Sequence, residues 1–417
     1  MPLRQGSYHY LHGRKRLLKR LLLLTYYYPP KPAAGSLRPF YLSKYLIEHG
    51  WATTVVTPVV LNPNADPHAG SWSIRARQRL ATLTPQFAKR AFHSFVCFPD
   101  DAIFWLPSAL RQASQALKLE RYDAVMSSAM PASMHIAGAF VRRRHGLPWL
   151  ADYRDLWTSN PYQELGPIRR ALEHRLEARL LREATAITAV SDAFVRPMQT
   201  LAPNLPVYTI PNAVDLADWQ GIANPYPTEF RLTYGGQLYD GRRSPETLFA
   251  ALASLRRRGE AAGNLAKVDF YGADLRMIPP MAERYGLSSI VTLHGLVDRN
   301  EMLRAQRDSA VLLVLLRSDK ATAGEYGSKI FEYIGAKRHV LAIGGAESVV
   351  KSLINASALG FFASDVEHCQ SAIRELYARY SSGHVEPVLE STFQPFTAPQ
   401  LASRFAEVLN VMVARPS

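Results

Sequence analysis

Residues 21–57 read LLLLTYYYPPKPAAGSLRPFYLSKYLIEHGWATTVVT. The run at 21–25 predicts a buried strand, and the pattern at 37–49 predicts a helix that ends at Gly50. The β-branched run at 52–57 predicts a second strand. A strand, a helix and a strand at this spacing form a right-handed crossover unit, so the two strands lie parallel. This stretch therefore indicates an α/β fold built on a parallel sheet.

The same alternation repeats along the rest of the chain in two series. In the first, we predict strands at 124–127, 149–153, 186–190 and 207–210, and helices at 133–144 and 168–184. In the second, we predict strands at 231–234, 267–271, 291–294, 310–315 and 340–343, and helices at 245–258, 278–285, 299–308 and 328–336. Two such series predict two doubly wound halves.

The periodicity lapses between the two series, where Pro225 and Pro227 lie. We therefore predict a first domain at 1–211, a linker at 212–228, a second domain at 229–396 and a last helix within 397–417. Doubly wound sheets bind ligands at the carboxyl ends of their strands. The predicted fold class is α/β, with two Rossmann-like domains facing each other across a cleft.

Composition narrows the class of protein. The 417 residues are 47% apolar and 20% charged, which excludes a disordered or fibrous chain. The net charge of +14 favours anionic partners. Cys97 and Cys369 have no metal-ligand spacing, which is typical of a protein of the reducing cytosol. No nucleic-acid-binding module is recognised, so we expect no nucleic acid partner.

The basic composition also raises the possibility of contact with a membrane. No segment approaches the ~18 consecutive apolar residues of a spanning helix. A basic stretch at 14–20 precedes the first leucines, but no small-residue cleavage site follows, which favours a strand over a signal peptide. Basic and apolar residues alternate at 73–95, either as a helix lying on a membrane or as a partly buried helix with a solvated basic face. We expect a cytoplasmic protein in peripheral contact with the anionic inner face of the plasma membrane.

Two motifs of the first half are candidates for binding. Gly35 and Ser36 begin a helix, where free N–H groups suit a phosphate or an acceptor oxygen, unless Ser36 merely caps the helix. The run DYRDLW at 152–157 follows a strand directly. Arg154 can anchor a phosphate or pair with Asp152 or Asp155, and one carboxylate can accept a proton or hold a hydroxyl. The alternative is a structural ion-pair network.

The second half begins with a glycine pair after its first strand. Gly235 and Gly236 allow the backbone to approach a diphosphate, and Arg242 or Arg243 supplies fixed positive charge.

The run GEYGSKIFEYIGA at 324–336 is the strongest local signal. Gly327 and Ser328 lead into a helix whose first turn carries Lys329, so its terminus can bind a diphosphate. Glu332 lies on the same helical face and can accept two ribose hydroxyls. The alternative is an exposed Lys–Glu pair of little energetic consequence.

These motifs, together with AVSD at 189–192 and IPNAVD at 210–215, resemble family-4 glycosyltransferases, which are bacterial retaining enzymes of the GT-B fold. The resemblance covers nearly the whole chain. The Asp-x-Arg-Asp-x-Trp run at 152–157 looks like that of a subset working on cell-surface polysaccharides. The family's terminal helix commonly crosses back to the first domain.

Position by position, Glu332 matches the second glutamate of the family's Glu-x7-Glu motif, which implies a ribose contact. Arg242 falls where the family usually has a diphosphate-binding lysine, and Lys329 resembles a lysine found in part of the family. The first glutamate falls at Gly324. Either the loop shifts to bring Glu325 to the donor sugar, or that contact is absent.

The resemblance implies transfer of a sugar from a nucleoside-diphosphate sugar to a lipid-linked or glycan acceptor, with retention and without a metal or other cofactor. From the motifs and the resemblance together, we expect the catalytic residues to be Arg242, Lys329 and Asp152. We expect the substrate-binding residues to be Gly35, Ser36, Arg154, Asp155, Gly235, Gly236, Glu325, Gly327, Ser328 and Glu332. Alternatives are a nucleotide-sugar 2-epimerase of the same fold and a degenerate, non-catalytic transferase. An NAD-dependent oxidoreductase ranks lower, since no G-x-G-x-x-G follows either first strand.

Overall fold

The computed structural model describes residues 8–11, 14–30, 34–58, 96–160, 163, 165–317, 324, 326–345, 348–387 and 394–414. The basic helix predicted at 73–95 lies outside the described residues. Contacts divide the chain into two compact units, Met1–Asn212 with Ala398–Ser417 and Ala213–Thr397.

A short hairpin and a parallel sheet make up the strands of the first unit. The hairpin pairs β1 (Tyr8–Leu11) with β2 (Arg14–Leu17) in antiparallel fashion. The sheet strands are β3 (Lys19–Thr25), β4 (Trp51–Val56), β5 (Ala124–Ala129), β6 (Trp149–Tyr153), β7 (Ala186–Ala189) and β8 (Val207–Thr209). Their order is β4-β3-β5-β6-β7-β8, and all pairs are parallel.

Helices lie on this sheet because its strands are apolar on both faces. Leu21, Leu22 and Leu23 of β3 are completely buried, as expected for a central strand covered by helices on both sides. The helices are α1 (Leu37–Tyr45), α2 (Leu106–Leu119), α3 (Ser133–His145), α4 (Pro167–Leu181), α5 (Val195–Leu201) and, from the end of the chain, α13 (Ala398–Ala414).

The second unit repeats this architecture. Its strands are β9 (Arg231–Gly235), β10 (Lys267–Tyr271), β11 (Val291–Gly295), β12 (Val311–Leu315), β13 (His339–Ile343) and β14 (Gly360–Ala363). Their order is β11-β10-β9-β12-β13-β14, again with parallel pairing. The helices are α6 (Glu246–Arg257), α7 (Ala261–Asn264), α8 (Ile278–Arg284), α9 (Arg299–Arg307), α10 (Ser328–Ala336), α11 (Val349–Ser357) and α12 (Val366–Ser381). The two sheets confirm the predicted pair of doubly wound halves.

The sequence pattern failed to predict several elements. No helix was predicted at α2 or α5, and after β13 neither the helices α11 and α12 nor the strand β14 was predicted. β14 is four residues long and lies at the edge of its sheet, so three of its four residues are only partly buried. A short edge strand therefore carries a weak pattern.

Residues 213–228, expected to link the domains, pack within the second unit. Val214 and Trp219 are 3% and 4% exposed there. The Arg307 guanidinium lies 5.0 Å from the centroid of the Trp219 ring. The change from one unit to the other therefore falls between Asn212 and Ala213.

The last helix, α13, packs against α1 within the first unit. The Arg38 guanidinium lies 4.9 Å from the centroid of the buried Phe405 ring. The Asn410 Oδ1 atom accepts hydrogen bonds from Lys19 Nζ at 2.7 Å and from Trp51 Nε1 at 3.3 Å. These contacts fasten the end of the chain to its first strands and helix.

Candidate active site

Strand order determines which loops come together. In the second unit, β9 continues to β10 on one side while β12 lies on its other side. The loops that leave β9 and β12 therefore emerge at the same edge of the sheet, at the point where the strand order reverses. The first carries Gly235, Gly236 and Arg242, and the second leads to Gly327 and α10.

Gly235 and Gly236, at the end of β9, are held by backbone hydrogen bonds to neighbouring elements. The Gly235 N–H donates to the Tyr333 hydroxyl of α10 at 3.4 Å. A Cβ atom on Gly235 would lie 2.9 Å from Met302 Cε of α9. The Gly236 N–H donates to the Tyr271 carbonyl at 2.9 Å. A Cβ atom at Gly235 would therefore require only the flexible end of the Met302 side chain to shift.

The loop that follows holds Arg242 through unusual backbone angles. Tyr239 and Asp240 have φ values of 50° and 53°, in the left-handed region. The Arg242 N–H donates to the Tyr239 carbonyl at 3.1 Å, and the Arg242 side chain is half-buried. The Arg243 guanidinium lies 4.7 Å from the centroid of the Tyr239 ring. Left-handed non-glycine residues are concentrated at ligand sites because only a defined surrounding sustains them.

Glu332 is the centre of a charged cluster on α10. It is 9% exposed. Its Oε1 atom accepts from Lys329 Nζ at 2.9 Å and from Gln306 Nε2 at 2.5 Å. Its Oε2 atom accepts from Arg299 Nη1 at 3.0 Å. The carboxylate is thus buried and shared between two cations, unlike an exposed Lys–Glu pair.

Electrostatics keep this carboxylate ionised. Burial acts to raise the pKa of Glu332, but the charges of Lys329 and Arg299 and the Gln306 hydrogen bond together lower that pKa to about 2. A carboxylate has about four acceptor positions, of which the three protein contacts use three. Glu332 therefore retains an acceptor position for a hydroxyl.

Sequence reasoning missed the partners of Glu332 on α9. Arg299 bridges two carboxylates, since its Nη2 atom lies 2.6 Å from Asp218 Oδ2. Asp298 caps the same helix by accepting from the Glu301 N–H at 2.9 Å. The capping aspartate is a sequence signal for the start of α9. No local signal shows that its first arginine faces α10.

The start of α10 is only partly described. Gly327 has a φ of 66°, a left-handed conformation that suits glycine, and Ser328 opens the helix. Gly324 is buried. Glu325 lies outside the described residues, so its contact with a donor sugar stays a prediction.

In the first unit, Arg154 joins the ends of several strands. Its Nε atom donates to the Ala129 carbonyl at 2.9 Å, and its Nη atoms donate to the carbonyls of Met130 and Gly35. Burial lowers the pKa of Arg154 and the charge of Asp155 opposes that shift. A Cβ atom on Gly35 would collide with the Arg154 guanidinium. The structure thus brings two predicted site residues, Gly35 and Arg154, into contact.

Asp152 is completely buried in β6. Its carboxylate pairs with Arg38 Nη2 at 2.9 Å and accepts from the hydroxyls of Ser128 and Thr188, each at 2.8 Å. Burial acts to raise the pKa of Asp152, but Arg38 and these hydroxyls lower it below the ordinary value. These contacts favour the structural ion-pair alternative for Asp152.

The remaining predicted residues of this unit differ in exposure. Ser36 is 2% exposed and precedes α1, but its side chain accepts no capping hydrogen bond. Asp155 is exposed. Gly35 lies beside Ser36 under the Arg154 guanidinium. Ser36 is therefore not explained as a helix cap.

Among the described residues, no three His, Cys, Asp or Glu side chains are grouped as a metal site would require. Among the helices of the described segments, none is long and apolar enough to cross a membrane.

Comparison with known proteins gives a family match over part of the chain and a fold. Residues 39–218 match the model described as Glycosyltransferase Family 4. No curated protein matches the chain in sequence.

Several solved structures resemble the whole chain. Sucrose-phosphate synthase from Thermosynechococcus elongatus is 17% identical, with a TM-score of 0.66 over 95% of this chain and 99% of that one. A glycosyltransferase from Rickettsia africae is 12% identical, with a TM-score of 0.61 over 95% and 100%. WaaG, a glycosyltransferase involved in lipopolysaccharide biosynthesis, is 14% identical, with a TM-score of 0.53 over 95% and 100%. At these identities the likeness concerns the fold. Residues 39–218 are therefore similar to glycosyltransferase family 4, and the two parallel sheets of the chain form the GT-B fold.

Proposed function

We propose that the chain transfers a sugar from a nucleoside-diphosphate sugar to a lipid-linked or glycan acceptor, with retention at the anomeric carbon. The observation that carries this proposal is the buried, ionised Glu332 one turn from Lys329 at the start of α10. A carboxylate fixed beside a lysine and a helix N-terminus is suited to a ribose joined to a diphosphate. The family match and the likeness to WaaG support a role in cell-surface polysaccharide synthesis.

On the second unit, each residue has a separate task. Lys329, Arg242 and the N–H groups of Gly327 and Ser328 bind the diphosphate. Gly235 and Gly236 allow its oxygens close to the backbone. Glu332 accepts hydroxyl hydrogens of the ribose.

On the first unit, we assign the acceptor to the loops after β3 and β6. The backbone at Gly35 and Ser36 and the side chains of Arg154 and Asp155 supply its polar contacts. Arg154 holds the shape of this region through its three carbonyl contacts. Because Asp152 is fully engaged in its ion pair, it acts by positioning these loops rather than by touching the reacting atoms.

The reaction breaks the bond between the anomeric carbon and the β-phosphate oxygen, and its electron pair leaves with the nucleoside diphosphate. The acceptor hydroxyl oxygen bonds to the anomeric carbon on the same face, and its proton passes to the leaving phosphate. Arg242 and Lys329 stabilise the charge that develops on the diphosphate. We propose that these fixed charges act without a divalent metal.

The test incubates the protein with UDP-, GDP- and other nucleotide sugars, with and without a lipid-linked acceptor, and measures nucleotide release. We expect release that depends on the acceptor and persists in EDTA. Conversion of the donor to its 2-epimer without acceptor would instead indicate an epimerase. No binding and no release with any donor would indicate a degenerate transferase.

Transfer to a lipid-linked acceptor places the enzyme at a membrane. We propose a cytoplasmic protein in peripheral contact with the anionic inner face of the plasma membrane. The net charge of +14 supports this contact. Fractionation of cells that express the tagged chain, followed by a high-salt wash, tests it: a peripheral protein is released by salt.

A further inference from the structure

The first three turns of helix α4 have an inverted polarity, whereas Leu180 and Leu181 at its end are buried. Its carboxylates Glu173 and Glu177 are 1% and 0% exposed, whereas Ile168 and Leu172 are 78% and 48% exposed. An ordinary surface helix buries its apolar side chains and exposes its charges. Near its start, α4 therefore exposes two apolar side chains and buries the carboxylates that follow them.

Hydrogen bonds fix α4 in this orientation. Glu173 Oε2 accepts from Trp157 Nε1 at 2.7 Å. Glu177 Oε2 accepts from both the hydroxyl and the N–H of Thr158, the latter at 3.2 Å. Rotating the helix to bury Leu172 would break these contacts and expose Trp157. The outward position of the apolar side chains is thus a built feature of the fold.

Arginines surround these apolar residues. On α4 and directly after it, Arg175, Arg179 and Arg182 share the helical side of Ile168 and Leu172. On the neighbouring α3, Phe140 is 45% exposed, next to Arg143 and Arg144. We name this surface the α3–α4 face and define it by Phe140, Arg143, Arg144, Ile168, Leu172, Arg175, Arg179 and Arg182.

Carboxylates offset little of this charge. Glu173 and Glu177 point inward, and Glu183 pairs with Arg143 at 3.0 Å. The α3–α4 face is therefore strongly positive with apolar side chains among its arginines. A complementary partner must be anionic at its surface and apolar beneath it.

We propose that the α3–α4 face binds an anionic lipid bilayer. Its arginines contact the headgroups, while Phe140, Ile168 and Leu172 enter the boundary with the acyl chains. A nucleic acid would satisfy the arginines but leave the apolar side chains in water. This proposal rests on the proposed function only in taking a membrane as the location of sugar transfer. The charge and the exposed apolar side chains of the α3–α4 face do not depend on that function.

The test is co-sedimentation with vesicles. We expect binding to vesicles of equal parts phosphatidylglycerol and phosphatidylcholine, weakening as salt is added, and little binding to phosphatidylcholine alone. The variant R175Q/R179Q/R182Q should bind about 100-fold more weakly, since each arginine near an anionic surface contributes about fivefold. A matched control, R257Q/R258Q/R304Q, removes three exposed arginines from the second unit and should bind as the unchanged protein does.

A second variant examines the apolar contribution. I168S/L172S keeps every charge, and we expect it to bind at least about tenfold more weakly because two apolar side chains no longer leave water. Equal binding by all the variants, or no binding by the unchanged protein, would overturn the proposal. A change confined to oligomeric state in analytical ultracentrifugation would assign the face to a second copy of the chain. Vesicle binding requires no donor, so its failure is distinct from a failure of sugar transfer.

Discussion

Arg38 Nη2 lies 2.9 Å from Asp152 Oδ1, and the two side chains are 3% and 0% exposed. Arg38 also donates to the Pro211 carbonyl at 2.8 Å. The pair thus connects α1, the centre of the first sheet and the end of the first unit. Since 114 residues separate the partners, the contact depends on the complete fold of this unit.

We predict that Asp152→Asn destabilises the protein by about 3–5 kcal/mol, because it leaves the Arg38 charge buried without a counter-charge. Urea unfolding measures this loss. Glu48→Gln, at an exposed carboxylate shortly after α1, is the control and should change stability by less than about 0.5 kcal/mol.

The same variant distinguishes a structural from a catalytic Asp152. If Asp152 positions the loops, transfer per folded molecule should fall only a few-fold in Asp152→Asn. If Asp152→Asn instead keeps its stability and loses almost all transfer, Asp152 acts directly on the reacting atoms.

Lys329→Ala should lower kcat by about 100-fold or more, because it removes one fixed charge that stabilises the leaving diphosphate. The fold should survive, since Glu332 keeps its contacts with Arg299 and Gln306. Turnover at saturating donor and acceptor is the measurement. Lys118→Ala, on the exposed end of α2, is the matched control. Near-normal turnover in Lys329→Ala would refute this site.

Glu332→Gln should raise the KM for the donor by about 10- to 100-fold, because hydrogen bonds to a charged acceptor contribute about 1.5–3 kcal/mol. A donor whose ribose lacks one hydroxyl provides the control. The unchanged enzyme should discriminate against this analogue, and Glu332→Gln should lose much of that discrimination. Equal discrimination by both would place the ribose elsewhere.

The pKa of Glu332 also predicts a pH dependence. That pKa is depressed from 4.5 to about 2, so the stabilisation by this group is complete above pH 4.5 and is lost as pH falls toward 2. Between pH 5 and 8, Glu332 stays ionised, and we expect its contribution to donor binding to be constant. A comparison of donor KM in the unchanged enzyme and Glu332→Gln across this range checks it.

The sequence predicted those contacts that follow from chain-local geometry. Lys329 and Glu332 are three residues apart on one helix, so helical spacing alone brings them together. Arg299 and Gln306 reach Glu332 from α9, and only the packing of α9 against α10 places them there. Likewise, Ser128 and Thr188 face Asp152 because β5 and β7 flank β6. Strand order is a property of the whole sheet, which no single stretch of sequence specifies.

His135 provides the last prediction, which concerns acid stability. It is completely buried in α3, and its Nδ1 atom lies 2.8 Å from the Ser127 hydroxyl. That hydroxyl oxygen accepts from Trp149 Nε1 at 2.8 Å, so its own hydrogen is free to be donated to Nδ1 of a neutral imidazole. Burial lowers the pKa of His135 from 6.5 to about 3, although the charge of Asp152 opposes this shift.

Between pH 6.5 and about 3, His135 is therefore protonated in the unfolded chain but neutral in the folded chain. Stability should fall by about 1.4 kcal/mol for each pH unit through this window, and the contribution is complete only above pH 6.5. His135→Gln removes the titrating group, so its unfolding free energy should depend less steeply on pH between 6.5 and 4.5. The exposed His145 gives the control variant His145→Gln, which should keep the unchanged slope. Parallel pH profiles for His135→Gln and the unchanged protein would show that His135 is protonated within the fold.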